Sequence, residues 1–311
     1  MTAALRRAEP GECDALSNLA LRSKGHWGDD ASFLAVCRAE LTVDPALVER
    51  LRVTVAEESR SLAGFYALAG APPVGELSFL FVEPGSIGTG IGRILWQDCV
   101  ATAARIGLSE IRIESDPFAE GFYLAMGAIR VGEVPSQSIP DRSLPVLSFD
   151  MAEVPIELYA VEDLATDVDG GLADLRRELE VVAPGVEVEH IGATSMRDGI
   201  TKGDVDVNLR VAPERFDRLV AALSARFEVA QPQNWSGTYA SFSDTRRGLP
   251  LGIQVTMAGS EDDFLVELRD RMSEDPDLRR RYDEVKRANA PAGRDAYWQA
   301  KNEFLRRLRN R

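Results

Sequence analysis

The sequence predicts an α/β (α+β) chain of two domains, a mixed sheet flanked by helices followed by a second α/β domain that ends in a helical segment. Three observations carry this. Strand and helix patterns alternate along both halves, with no stretch approaching the roughly 18 consecutive apolar residues of a membrane span. A proline-bearing polar stretch, DMAEVP at Asp150 to Pro155, ends one pattern before another begins, dividing the chain into 1–152 and 153–311. Finally, 311 residues at 45% hydrophobic suffice for two cores and exclude a natively disordered chain.

The elements follow in order. A strand around Leu5 precedes helices near Asp14 to Ser23 and Ser32 to Leu41, the second with Asp30 as its candidate N-cap. Strands fall near Val53 to Glu57, Leu62 to Ala69 and Glu76 to Val82, the last almost continuously apolar as a buried strand is. The glycine-rich EPGSIGTGIG then runs into a helix whose Ile91, Ile94, Leu95, Val100 and Ala104 recur at roughly helical spacing. A strand at Glu110 to Ser115, a short helix at Ala119 to Met126 and two strands near Ile129 and Leu147 complete the first half. In the second half IELYAV reads as a fresh strand, followed by a helix at Gly171 to Val182 and strands at Val188 to Ile191 and Val205 to Val211. A helix at Pro213 to Ala225, a hairpin from Tyr239 to Met257 and helices near Asp263 to Ser273, Leu278 to Asn289 and Asp295 to Arg309 close it.

The net charge of −14 divides evenly on either side of Ala152 and argues against a nucleic-acid partner, because phosphate neutralisation needs clustered cations. The N-terminus, MTAALRRAEPGECDAL, is acidic and polar where a secretory signal would be apolar, which predicts a cytoplasmic protein with no membrane partner. Cys13, Cys37 and Cys99 are odd in number and form no C-x-x-C pair, so they read as reduced thiols packed as small hydrophobes.

A buried strand ending at Val82, then Gly88, Gly90 and Gly92 at the start of a helix, make an anion cradle. Glycine lets the backbone approach a phosphate, and free N–H groups at the helix N-terminus point at the charge. The G-x-G-x-G spacing is not that of a dinucleotide fold and no Walker lysine follows. In this setting LFVEPGSIGTGIG resembles the pyrophosphate signature of the GNAT superfamily of acetyl-CoA-dependent N-acetyltransferases, and DPFAEGFYLAMGA resembles its asparagine, tyrosine and glycine segment. The resemblance covers about Ala3 to Met151. Ile87 stands where arginine or glutamine usually opens the signature, and Asp116 where asparagine is common.

The resemblance implies a GNAT mixed sheet and acetyl transfer from acetyl-CoA directly to a primary amine of a small molecule or peptide. It assigns the cofactor to the backbone of Leu80 and Val82, to Ile87, Gly88, Thr89, Gly90, Ile91, Gly92 and Arg93, and to Asp116. Tyr123 becomes the acid that protonates the departing thiolate, and Glu76 the base acting through water, with Glu114 as runner-up. His26 and Trp27, in SKGHWGDD between the first two helices, are the acceptor-binding candidates, with Asp29 or Asp30 to attract an amine. The loop SQSIPDRSLP, with Ser136, Ser138 and Arg142, is a candidate opposite wall. A homodimer is compatible with the same resemblance.

In the second half Asp204 and Asp206 lie two apart on a strand and share a face, an arrangement suited to Mg²⁺. HIGATSM, TKGDVDV, LVELRDRMSEDPDLRRRYDEVKR and AYWQAKNEF resemble the GrpB family over about Ile156 to Arg311, which implies a nucleotidyltransferase-like fold. His190, Ser195 and Lys202 are candidates to hold a nucleotide. Active nucleotidyltransferases usually supply a third carboxylate from the hairpin strand, where this chain has Gln254 and Thr256. Two alternatives to an acetyltransferase alone stay open: Mg²⁺-dependent nucleotidyl transfer by the second domain, or a second domain that only binds or stabilises.

Overall fold

Seven strands and five helices build the first unit of the computed structural model, which describes residues 3–28, 31–139, 141–245 and 248–309. They run β1 (Ala4–Arg7), α1 (Cys13–Gly25), α2 (Ala31–Cys37), α3 (Pro45–Arg50), β2 (Arg52–Glu58), β3 (Ser61–Ala71), β4 (Val74–Val82), α4 (Ile91–Ile106), β5 (Glu110–Glu114), α5 (Glu120–Ala125), β6 (Ile129–Pro135) and β7 (Ser143–Asp150). The sheet order is β1-β2-β3-β4-β5-β7-β6. The β4–β5 pair is parallel, whereas β5–β7 and β7–β6 are antiparallel, so the sheet is mixed. One layer buries Leu16, Leu19 and Ala20 of α1 against Val53, Val55, Phe65 and Ala67. Helix α4 buries Ile91, Leu95, Cys99 and Ala103. A Cβ on Gly64 would stand 2.9 Å from Leu95 and 3.3 Å from Ile91, so glycine on β3 admits α4 to close approach.

The second unit comprises Ala152–Arg311 together with Ala71–Pro73 and Ala104–Gly107. Its elements are β8 (Tyr159–Ala160), α6 (Ala165–Val182), β9 (Glu189–Ile191), β10 (Ile200–Thr201), β11 (Val205–Val211), α7 (Pro213–Ser224), β12 (Glu228–Val229), β13 (Tyr239–Asp244), β14 (Leu251–Met257), α8 (Leu265–Glu274), α9 (Pro276–Asn289) and α10 (Arg294–Arg309). A five-stranded sheet has the order β12-β13-β14-β11-β9, with β11 and β14 parallel at its centre. One face packs Val207, Leu209, Ile253 and Val255 against Leu172, Leu175 and Leu179 of α6 and Phe216, Leu219 and Leu223 of α7. Met196, Met272, Leu278, Tyr282 and Leu308 form a second cluster that joins α8, α9 and α10.

Three local readings change. IELYAV forms a strand only at Tyr159–Ala160, because β10, its partner, is itself two residues long. Helix α6 starts at Ala165 and runs through Gly170 and Gly171, since Val168, Leu172, Leu175 and Leu179 give it a buried stripe that outweighs the glycines. Helix α3, unforeseen, starts where Asp44 accepts from the Leu47 N–H at 2.7 Å with Pro45 in its first turn. Asp29 and Asp30, singled out above, lie outside the described residues. Among the described residues no helix is long and apolar enough to cross a membrane, and all three cysteines are buried and free.

Candidate active site

In the first unit β4 pairs with β5 only over Val74–Glu76, opposite Glu110–Arg112. Beyond Glu76 the edge of β4 that faces β5 is released from the ladder, which opens a wedge in the sheet. The Glu83 N–H donates to Ala63 O on the β3 side at 2.9 Å. Alternation along the strand therefore turns Leu80 and Val82 toward the wedge. The Val82 N–H reaches the Ser23 hydroxyl across 3.4 Å, a long bond that a better acceptor would displace.

The wedge leads to the glycine loop. Gly88 and Gly90 hold φ of +83° and +105°, and a Cβ on either would meet nothing within 4 Å. The cradle is therefore open, and its backbone conformation favours glycine. Thr89 folds back, its N–H and hydroxyl both donating to Ser86 O at 3.3 and 2.8 Å. The Ile94 N–H donates to Gly90 O at 3.1 Å. First-turn N–H groups at Ile91, Gly92 and Arg93 lack intrahelical acceptors and sit at the positive end of a 16-residue helix. Ile87 precedes this turn without adding charge.

Phe122 lies 3.4 Å from the point a Gly92 Cβ would occupy, so α5 packs against the first turn of α4 and fixes its neighbour Tyr123. Tyr123 is buried, its ring edge-on to Trp96 and Phe122 at 5.8 and 5.1 Å. Burial, with a smaller effect of Cys99, pushes its phenol above the ordinary range, so it stays protonated. Glu76 is exposed at the last paired position of β4 and accepts from the Ser78 hydroxyl at 3.3 Å. Glu114 is exposed as well.

On the acceptor side Trp27 stacks on Phe118 at 5.6 Å and 9°, and His26 meets Trp27 edge-on at 5.1 Å. Both His26 and Trp27 are exposed. Asp116 does not stand free. Lys24 and Arg142 both donate to its Oδ2, the latter at 3.0 Å, and the Phe118 N–H donates to Oδ1 at 2.9 Å. Burial pushes the carboxyl up, but these bonds and the two cations hold it below the usual carboxylate range. Lys24 and Arg142 also lie over the Phe33 ring at 5.6 and 5.1 Å. Lys24 escaped the sequence reading because Asp116 is 92 positions away and no local pattern joins them.

In the second unit Asp206 sits on β11 opposite Ile191 and Gly252. A Cβ on Gly252 would fall 2.5 Å from Asp206 Oδ1, and one on Gly192 2.7 Å from Oδ2. The two glycines thus make the space the carboxylate occupies. Burial and the neighbouring Asp204 push Asp206 up to about 6. Asp204 also suffers burial, yet Lys202, 2.8 Å away, and Lys301 hold it below its ordinary value. Lys301 is kept charged against burial by Tyr297, Asp204 and Asp206, and its ammonium lies 4.5 Å from the centre of the Trp298 ring.

This donor set does not fit the expected Mg²⁺ pair. Two carboxylates are already balanced by two ammonium groups, and Gln254, in the third-carboxylate position, bonds Asp206 instead of adding charge. Among the described residues no cluster of three or more histidine, cysteine or acidic side chains could hold a metal. His190 pairs with the Thr194 hydroxyl at 3.1 Å, and burial followed by Arg176 and Arg269 pushes it down to about 4. It is therefore neutral at physiological pH and offers an anion no charge. The Ser195 hydroxyl donates to Gly192 O at 2.7 Å, bracing the turn beside Asp206.

Residues 161–311 match the family model described as GrpB protein, and residues 35–137 the model described as acetyltransferase (GNAT) domain. The chain is 29% identical over 153 residues to a UPF0157 protein of Vibrio cholerae serotype O1, spanning 49% of this chain and 81% of that one. Solved structures similar to it include a GCN5-related N-acetyltransferase from Rhodopseudomonas palustris, at 18% identity and TM-score 0.42 over 48% of this chain and 96% of that one. Another is the PaiA N-acetyltransferase of Thermoplasma acidophilum in complex with coenzyme A, at 16% and 0.41 over 48% and 99%. A third is YncA of Salmonella typhimurium with its cofactor acetyl-CoA, at 19% and 0.36 over 48% and 94%.

Proposed function

The chain joins an acetyltransferase (GNAT) domain to a GrpB domain, and on that premise we propose that it transfers an acetyl group from acetyl-CoA to a primary amine of a small molecule or peptide. The observation that carries this is the wedge between β4 and β5 running into an open glycine cradle at the N-terminus of α4. Acetyl-CoA supplies the activated acyl group and a thiolate leaving group. The N–H groups of Gly88 to Arg93 hold its pyrophosphate, where Gly88 and Gly90 leave room for close approach. The backbone of Leu80 and Val82 binds the pantetheine arm along the released strand edge and orients the thioester. Tyr123, kept protonated by burial, delivers the proton to the departing sulfur. Glu76, exposed at the last paired position of β4, takes the proton of the attacking ammonium through water. Trp27, fixed by its stack on Phe118, shapes the acceptor wall with His26. Asp116 acts through Lys24 and Arg142, bracing the elements around that wall.

The test is acetyl-CoA-dependent release of free thiol by the full chain across a panel of amines and peptides. Tyr123→Phe lowers kcat about 100-fold with little change in acetyl-CoA affinity. Unchanged turnover in that variant removes the acid role from Tyr123, and an absence of acetyl-CoA binding in the full chain removes the reading itself.

A further inference from the structure

The second unit contains a cavity of about 500 Å³ whose floor is set by strand register. Asp206, Gly252 and Ser243 stand side by side on β11, β14 and β13. Gly252 brings no side chain, and the Asp206 carboxylate leans into the room this leaves, at the floor of the cavity. Arg294, Trp298 and Lys301 of α10 line the same cavity, each about one turn from the next and so on one face of the helix. Three polar atoms in this lining, Ser243 Oγ, Arg294 Nε and Trp298 Nε1, are buried with no hydrogen-bond partner in the protein. A buried group left unpaired is costly, and few occur in a native structure. Three converging on one cavity point to a ligand that pairs them.

The chemistry of the lining narrows that ligand. The Arg294 Nε–H and the Trp298 Nε1–H can only donate, so the ligand must accept. Ionised Asp204 and Asp206 can only accept, so it must donate as well. No surplus charge invites an ion. Lys202 is bonded to Asp204 at 2.8 Å, Lys301 balances Asp206, and Arg294 donates to Asp295 at 2.7 Å. Lys301 already lies over the Trp298 ring, so the indole offers the cavity its N–H more than its face. A hydroxyl is the neutral group that both accepts and donates.

We propose that this cavity binds a neutral polyhydroxylated small molecule of monosaccharide or cyclitol size, its hydroxyls accepting from Trp298, Arg294 and Lys301 and donating to Asp206. Binding requires no metal ion. None of the acetyl-transfer residues lines the cavity, so binding here stands whether or not these act as described.

The experiment measures thermal denaturation and calorimetric binding of the full chain with D-glucose, D-galactose, D-mannose and myo-inositol, and in parallel with inorganic phosphate and with Mg²⁺ alone. At least one polyol raises Tm saturably without added metal. Trp298→Phe and Ser243→Ala each weaken its binding about tenfold, the scale of one hydrogen bond. Ser243→Ala without ligand melts no lower than wild type, because it removes a hydroxyl that had no partner. This separates loss of binding from loss of fold. The proposal is overturned if no polyol in the panel binds, if phosphate or Mg²⁺ alone stabilises while the polyols do not, or if both variants bind with unchanged affinity.

Discussion

Glycine does opposite work in the two units. At Gly88 and Gly90 the missing side chain faces empty space, and each holds a positive φ, which leaves the loop backbone open where the proposed function brings a phosphate. At Gly192 and Gly252 the missing side chain faces the protein itself, and the space is filled by the carboxylate of Asp206. On the proposed function the first pair serves a ligand that comes and goes, whereas the second makes room for a group that stays. Substitution in the two places should therefore separate binding from stability.

The largest effect is expected at Gly192. Gly192→Ala adds a Cβ at φ +75° and 2.7 Å from Asp206 Oδ2, and should destabilise the protein by about 3 kcal/mol in urea unfolding. A loss below about 1 kcal/mol would mean that the carboxylate moves aside easily and the contrast is false. Asp206 itself sharpens the comparison through pH. Its folded-state pKa of about 6 lies above the ordinary carboxylate value, so the native state binds the extra proton and this residue's contribution falls as pH rises from about 4 to 6. Relative to wild type, Asp206→Asn should gain on the order of 2 kcal/mol between pH 4 and pH 7. A pH-independent difference between the two proteins would refute that assignment.

At the open cradle the readout changes. Gly90→Ala should weaken acetyl-CoA about tenfold, or about 1.4 kcal/mol, while costing only the roughly 1–2 kcal/mol of backbone strain in unfolding, less than Gly192→Ala. The reverse ranking would make the loop a structural turn. The smallest effect is expected at Asp116→Asn, which loosens the contacts from Lys24 and Arg142 and should cost about 1 kcal/mol of stability with acetyl-CoA affinity within about twofold. An affinity loss beyond tenfold would place Asp116 on the cofactor instead of on the brace.

Residues near each other in sequence were the readable ones. The glycine loop announced itself because a strand, three closely spaced glycines and an apolar helix follow one another without interruption. Asp204 and Asp206 showed because a strand puts alternate residues on one face. Their neutralising partner Lys301 sits on the last helix, inside the AYWQAKNEF stretch, but no spacing in the sequence ties its ammonium to Asp206. That Arg294 and Trp298 meet the same cavity is unreadable for the same reason, and Lys24 reaches Asp116 only through the fold. Secondary structure failed where tertiary burial overrode local preference: the glycines inside α6 argued for a later start, but its buried leucines keep the first turns helical. IELYAV failed the other way, since an apolar run without a long partner strand has no ladder to join.

The parallel pairing of β11 with β14 has a consequence for the order of folding. Strands β13 and β14 are consecutive antiparallel partners and can pair early, whereas β11 meets β14 only across the whole of α7, β12 and β13 that separate them in sequence. Gly252 therefore reaches Asp206 only when this long-range closure is complete. Amide protons on β11 should accordingly exchange only through global unfolding. The pocket around Asp206 would then exist only in the fully assembled sheet.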